Sequence, residues 1–129
     1  MKLILSVAFL LLTIAVQSAR SEIFNDISTA IKNGDVKSLS RNFNSSIDLT
    51  VGAQENTYSK AQAEQVLRDF FTLNKPAAFS LIHQGLSKEG ARYAIGSLST
   101  VQGKTYRVYL YVKQVGGASV INELRFMPE

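Results

Sequence analysis

The chain has 129 residues, with 14 Lys and Arg against 10 Asp and Glu, a net charge of +4, a single histidine and no cysteine. Without cysteine there can be no disulfide framework and no thiolate metal site, so the apolar core must supply the stability. From Glu22 onward the basic residues exceed the acidic ones by only about two, and they form no run dense enough for a nucleic-acid partner.

The first residues, "MKLILSVAFLLLTIAVQSARSE", place Lys2 ahead of an apolar stretch from Leu3 to Val16 broken only by Ser6 and Thr13. This pattern predicts a secretory signal peptide over residues 1–19, with cleavage after Ser18 and with Ala19 or Ser21 as alternatives. As a helix the stretch would span about 21 Å, short of the roughly 30 Å hydrocarbon core, so no stable membrane anchor is expected once the signal is cleaved. No cysteine follows it to carry a lipid. The expected product is an exported protein, periplasmic or secreted, with one domain over residues 20–129, a usual size for a small domain.

Within that domain, Ile23, Ile27 and Ile31 fall at steps of four with Phe24 beside them, which predicts a helix capped by Ser21 and ended by Gly34. Asp35 caps a shorter turn in which Val36, Leu39 and Phe43 continue the apolar face. In "SIDLTV" the alternation of Ile47, Leu49 and Val51 with Asp48 and Thr50 predicts a brief strand whose Asp48 faces solvent. The stretch "YSKAQAEQVLRDFF" is the most strongly patterned in the chain. Ser59 and Gln62 make a capping box, and Ala63, Val66, Leu67, Phe70 and Phe71 recur at helical spacing. Glu64 precedes Arg68 by four residues on its outer side, and Pro76 requires the helix to stop near Leu73.

From Ala78 the period changes to alternation, punctuated by "SKEG", "QG" and "GG", which predicts four antiparallel strands near Ala78 to Leu86, Ala91 to Val101, Lys104 to Val115 and Ser119 to Met127. Loop length then decides which faces combine. A three-residue Lys88-Glu89-Gly90 loop turns Phe79, Leu81 and His83 inward. A two-residue Gln102-Gly103 turn opposes Tyr93, Ile95 and Ser97 to Val112, Leu110 and Val108. A three-residue Gly116-Gly117-Ala118 loop opposes Leu110 to Leu124 and Val108 to Phe126, with Arg125 beside Tyr109 and Glu123 beside Tyr111.

The phrases "YSKAQAEQVLRDFF", "HQG", "YAIGS", "YRVYLYVK" and "NELRF" resemble those of an exported bacterial family, domain-of-unknown-function family 4783. "AIKNGDVKSL" resembles the opening of the nuclear-transport-factor-2-like, cystatin-like or SnoaL-like superfamily that contains it. The resemblance covers nearly the whole chain after the leader. It implies an α+β cone in which helices pack on a curved, antiparallel four-stranded meander, often with a pocket inside and often with dimerisation through the outer face of the sheet.

On the inferred register His83, Tyr93, Ser97 and Asn122 face into the cone as a neutral hydrogen-bonding set, a candidate pocket for an unidentified small molecule. The plainer reading of His83 is a hydrogen-bonded core side chain. A zinc site needs three or four convergent ligands, which one histidine and no cysteine do not supply, and no other cofactor is implied. The acid/base isomerases and dehydratases of the same fold need an inward carboxylate, and Asp48 is the one possible supplier. Glu64 and Asp69, five residues apart, diverge by roughly 140° on a helix and cannot act together. "GLSKEG" around Ser87 is a hairpin turn without nucleophile-elbow spacing, and no phosphate-cradling glycine motif occurs.

The other side of the third strand carries Arg107, Tyr109, Tyr111 and Lys113, with Arg125 next to them. It reads either as a solvated face with tyrosines lying over Gly96 or as an interface, since Tyr and Arg are the residues that anchor partners. The sequence thus predicts a non-enzymatic ligand-binding or interaction module, with no catalytic residues and a homodimer through Arg107, Tyr109, Tyr111 and Arg125. An enzyme using the cone, or an accessory subunit of an envelope complex, are the alternatives.

Overall fold

The computed structural model describes residues 23–87 and 90–129. The expected signal peptide, and Lys88 and Glu89 of the first hairpin loop, lie outside the described residues. Helix α1 covers residues 23–33 and buries Phe24, Ile27, Ala30 and Ile31, the stripe that its spacing demands. Gly34 ends it at φ +64°, a left-handed conformation that costs glycine nothing. Asp35 then caps α2 (Val36–Ser40), its carboxylate accepting from the Ser38 N–H at 3.1 Å and the Ser38 hydroxyl at 2.6 Å. Those bonds favour the charged form and hold the Asp35 pKa below its ordinary value.

Strand β1 (Phe43–Val51) buries Phe43, Ile47 and Leu49, and turns back into β2 (Gln54–Ser59). Ser59 then caps α3 (Lys60–Leu73) with the predicted capping box. The Gln62 N–H donates to Ser59 Oγ at 3.3 Å, and the Ser59 N–H donates to Gln62 Oε1 at 3.2 Å. Ala63, Leu67, Phe70 and Phe71 face the sheet, while Glu64 and Arg68 pair on the outside at 2.6 Å. The meander follows as β3 (Pro76–Leu86), β4 (Arg92–Thr100), β5 (Thr105–Val115) and β6 (Ala118–Pro128).

The strand order is β2-β1-β6-β5-β4-β3. The sheet therefore has six strands where four were expected. It is mixed, because β6 pairs in parallel with β1, Leu49 opposite Leu124 and Val51 opposite Phe126. That pairing brings the β1–β2 hairpin onto the meander and completes the curved sheet around the helices. Its concave side packs on Phe24, Ile27, Ile31, Leu67 and the rings of Phe70, Phe71, Tyr106 and Phe126. Phe70 meets Tyr106, Phe126 and Phe71 with centroids 4.9 to 5.3 Å apart, the close offset and edge contacts that aromatic quadrupoles favour.

Two turns differ from expectation. The β4–β5 loop has three residues, Val101-Gln102-Gly103. Thr100 N–H donates to Lys104 O at 2.8 Å, and Gly103 takes the left-handed position at φ +87°. Register consequently shifts by one residue, so that Ala94, Gly96 and Leu98 oppose Leu110, Val108 and Tyr106. The β5–β6 loop has two residues, Gly116-Gly117, both at positive φ as a type I′ turn requires. The expected oppositions of Leu110 to Leu124 and Val108 to Phe126 nevertheless hold, because a bulge at Asn122 supplies the missing residue.

Candidate functional site

One residue of register in β4 decides what lies outside the cone. Tyr93, Ile95 and Ser97 oppose Tyr111, Tyr109 and Arg107 on the convex face, not Val112, Leu110 and Val108 on the concave one. In β3 a bulge at Ile82 separates Leu81, which opposes the inward Gly96, from His83, which opposes the outward Ile95. Phe79 and Leu81 do pack on the core as expected. His83 is exposed, and Asn122, at the β6 bulge, lines a hollow of about 370 Å³ with Tyr111, Lys113 and Gly90. The predicted inward set of His83, Tyr93, Ser97 and Asn122 is thus corrected. All four leave the concave side, which β4 lines with Ala94, Gly96 and Leu98 instead.

What the structure brings together is a polar aromatic array on the convex face. His83 Nε2 lies 3.0 Å from Tyr93 Oη, and the Tyr93 ring covers Gly85, where a Cβ would come within 2.5 Å of it. Tyr93 is stacked with Tyr109 at 6.5 Å between centroids and 17° between planes. The Arg125 guanidinium sits 5.9 Å from the Tyr109 centroid, within cation–π range, and is held there by its ion pair with Glu123. Ser87 Oγ lies 3.4 Å from Tyr111 Oη, and Arg107 donates to Glu129 Oε1 at 2.9 Å.

Electrostatics keep Tyr109 and Arg125 in one protonation state near neutrality. Burial, reinforced by the Glu123 carboxylate, pushes the Tyr109 hydroxyl above its ordinary pKa. The hydrogen bond to Glu123 raises Arg125 as well, so the guanidinium stays charged and the phenol neutral. Asp48, as predicted, is exposed, and it accepts from Thr57 Oγ1 at 2.6 Å. Among the described residues no carboxylate hydrogen-bonds to His83, and no three His, Asp or Glu side chains gather around a possible metal position.

Sequence reasoning missed Ile95 as an outer-face residue, yet the signal was present. "VQG" ends on glycine just as "KEG" does, and glycine at the third position is the mark of a three-residue loop with a left-handed bulge. The strand "QENTYS" was missed for another reason: its side chains show no alternation to read.

A helix, a short helix, a hairpin, a long helix and a meander whose last strand rejoins the first define the nuclear-transport-factor-2-like or cystatin-like class. A solved protein of cystatin-like fold from Caulobacter vibrioides superposes with a TM-score of 0.65 at 11% identity, covering 88% of this chain and 89% of that one. Within the class, the chain belongs to the family described as Domain of unknown function (DUF4783), whose model matches residues 24–127. The family structure from Bacteroides ovatus is 28% identical, with a TM-score of 0.74, and covers 81% of this chain and 93% of its own. That from Bacteroides uniformis is 25% identical, with a TM-score of 0.75, covering 81% and 95%. No curated protein matches the chain.

Proposed function

We propose that the protein is a non-enzymatic interaction module, exported to the periplasm or beyond, that works through the convex face of its sheet and pairs there with a second copy of itself. The observation that carries this reading is the Tyr93–Tyr109 stack, flanked by Ile95 and Tyr111 and crossed by Arg125, on the side of the sheet that the helices leave bare. Rigid aromatics and arginine are the residue types that anchor interfaces. The same face carries Arg107, Lys113 and Arg125 toward β5 and β6, and Asp48, Glu55 and Glu123 toward β1 and β2. In a two-fold pair each patch meets its own copy reversed, so a face bearing both signs side by side is self-complementary.

The competing reading as an isomerase or dehydratase loses the carboxylate it drew on, because Asp48 hydrogen-bonds outside the cone. Sedimentation equilibrium tests the proposal. The natural protein is expected at dimer mass, dissociating on dilution. Tyr109→Ala with Tyr111→Ala should weaken the pair at least roughly 30-fold, as loss of one hot spot of about 2 kcal/mol would, with an unchanged far-ultraviolet spectrum. A natural protein that stays monomeric over a wide concentration range, with the double variant indistinguishable from it, would refute the dimer. Capture of an envelope protein by the monomer would point to the accessory-subunit alternative instead.

A further inference from the structure

At the end of the sheet where β1 turns into β2, a second feature stands apart from the convex face. The C-terminal turns of α3 lean over the β1–β2 turn and the end of β6, enclosing a cleft of about 360 Å³. Its walls are Val51, Val66, Phe70, Leu73 and Pro128. Leu73 is 72% exposed at the mouth, a large apolar side chain that no other part of the described chain covers.

The polar side chains here are Gln54, Asp69, Asn74 and Tyr106. Tyr106 and Asn74, each 8% exposed, form the floor. The Tyr106 hydroxyl donates its proton to Asn74 Oδ1 at 2.9 Å, and Asn74 Nδ2 donates to Phe70 O at 3.0 Å. With its proton committed, the phenolic oxygen has only lone pairs left to offer. At the rim stands Asp69, the one charged residue in the lining. It accepts a hydrogen bond from Gln65 Nε2 at 3.2 Å, and among the described residues it has no ion-pair partner. Apolar walls with a few convergent polar groups are the general form of a small-molecule site. Here the one charge is negative, in a chain whose net charge is positive, and the Tyr106 oxygen and Asp69 carboxylate are acceptors, with the Gln54 carboxamide beside them able to accept or donate.

We propose that this cleft binds a small amphiphilic cation, an aromatic or alkyl body carrying a protonated amine. The body lies between Phe70 and Leu73, and the ammonium donates to the Asp69 carboxylate and toward the Tyr106 oxygen. The positive charge and N–H donors of such a ligand complement the Asp69 carboxylate and the Tyr106 oxygen, and an anionic ligand would be repelled by the one charge in the lining. The site is independent of the convex face, from which the body of the sheet separates it.

Two probes that differ only in the head group decide the matter: tryptamine, an ammonium, and tryptophol, its neutral alcohol counterpart, titrated into the 15N-labelled protein. Tryptamine should shift the amide resonances of Gln54, Leu73 and Asn74, and tryptophol should bind about tenfold more weakly, the discrimination expected of one charge-assisted contact at a partly exposed site. Asp69→Asn should lower tryptamine to the affinity of tryptophol. Leu73→Ser should weaken both probes equally, and Tyr109→Ala with Tyr111→Ala should change neither, which separates this site from the dimer proposal. Equal binding of the two probes, a preference that survives Asp69→Asn, or shifts confined to residues elsewhere would each overturn the proposal, as would an absence of shifts up to the solubility limit of tryptamine.

Discussion

The two faces of the sheet use aromatic residues in opposite ways. On the concave side Phe70, Phe71 and Phe126 meet edge to face or tilted, carry no polar atom and exclude water. On the convex side Tyr93 and Tyr109 lie nearly parallel, each ring ends in a hydroxyl, and that of Tyr93 lies 3.0 Å from His83 Nε2. The inner rings hold the fold together through burial, whereas the outer ones contribute little to folding and keep a flat, chemically addressable surface. Buried rings and an exposed polar aromatic surface thus lie on opposite sides of one sheet.

The sharpest way to break this contrast is to remove a ring from each side. Phe126→Ala, which empties a fully buried site, should cost about 3–5 kcal/mol in chemical denaturation, whereas Tyr93→Ala should cost under about 1.5 kcal/mol because its ring stands over a glycine at the surface. Equal losses would mean that the convex array is a second core.

A subtler pair uses the two glycines that lie under rings. A Cβ at Gly96 would come within 2.5 Å of Phe79 and 2.9 Å of the Ser80 carbonyl, so the strand itself would have to give; Gly96→Ala should destabilise by roughly 1–3 kcal/mol. At Gly85 only the far end of the Tyr93 ring is in the way. Gly85→Ala should therefore stay within about 1 kcal/mol while displacing Tyr93 from His83 and Tyr109, readable as a changed near-ultraviolet spectrum and weaker self-association.

The smallest effect lies away from both faces. Because the folded pKa of Asp35 is lowered by its bonds to Ser38, its stabilisation is present above the unfolded value and is lost as pH falls through the folded one. Asp35→Asn should lower the melting temperature slightly above about pH 4 and converge on the natural protein below it, which flattens the acid limb of the profile.

Legibility followed the strength of local constraint. The long helix with its cap, the end of α1 at Gly34 and the oppositions between β5 and β6 could all be read, since capping chemistry and an apolar stripe each admit few solutions. The inward face of β4 could not, because bulk was a misleading guide. Tyr93 and Ile95 are the larger apolar residues, but the space under the helices is narrow and takes Ala94, Gly96 and Leu98, with the Phe79 ring over Gly96. The bulges at Ile82 and Asn122 were invisible for a related reason: an inserted residue is fixed by strand partners distant in the chain. Hence the residue types of the candidate interface were recognised, and the inner pocket was placed on the wrong side.

The position of β6 has a consequence for how the chain comes into being. The last strand to be synthesised lies at the centre of the sheet, between the first strand and the fifth. Until it arrives, the β1–β2 hairpin and the β3–β5 meander have no common neighbour, and Leu49 cannot meet Leu124. A chain without β6 therefore exposes two unfinished edges, at β1 and at β5, and the pairing of β6 is what joins the two halves of the sheet like a keystone.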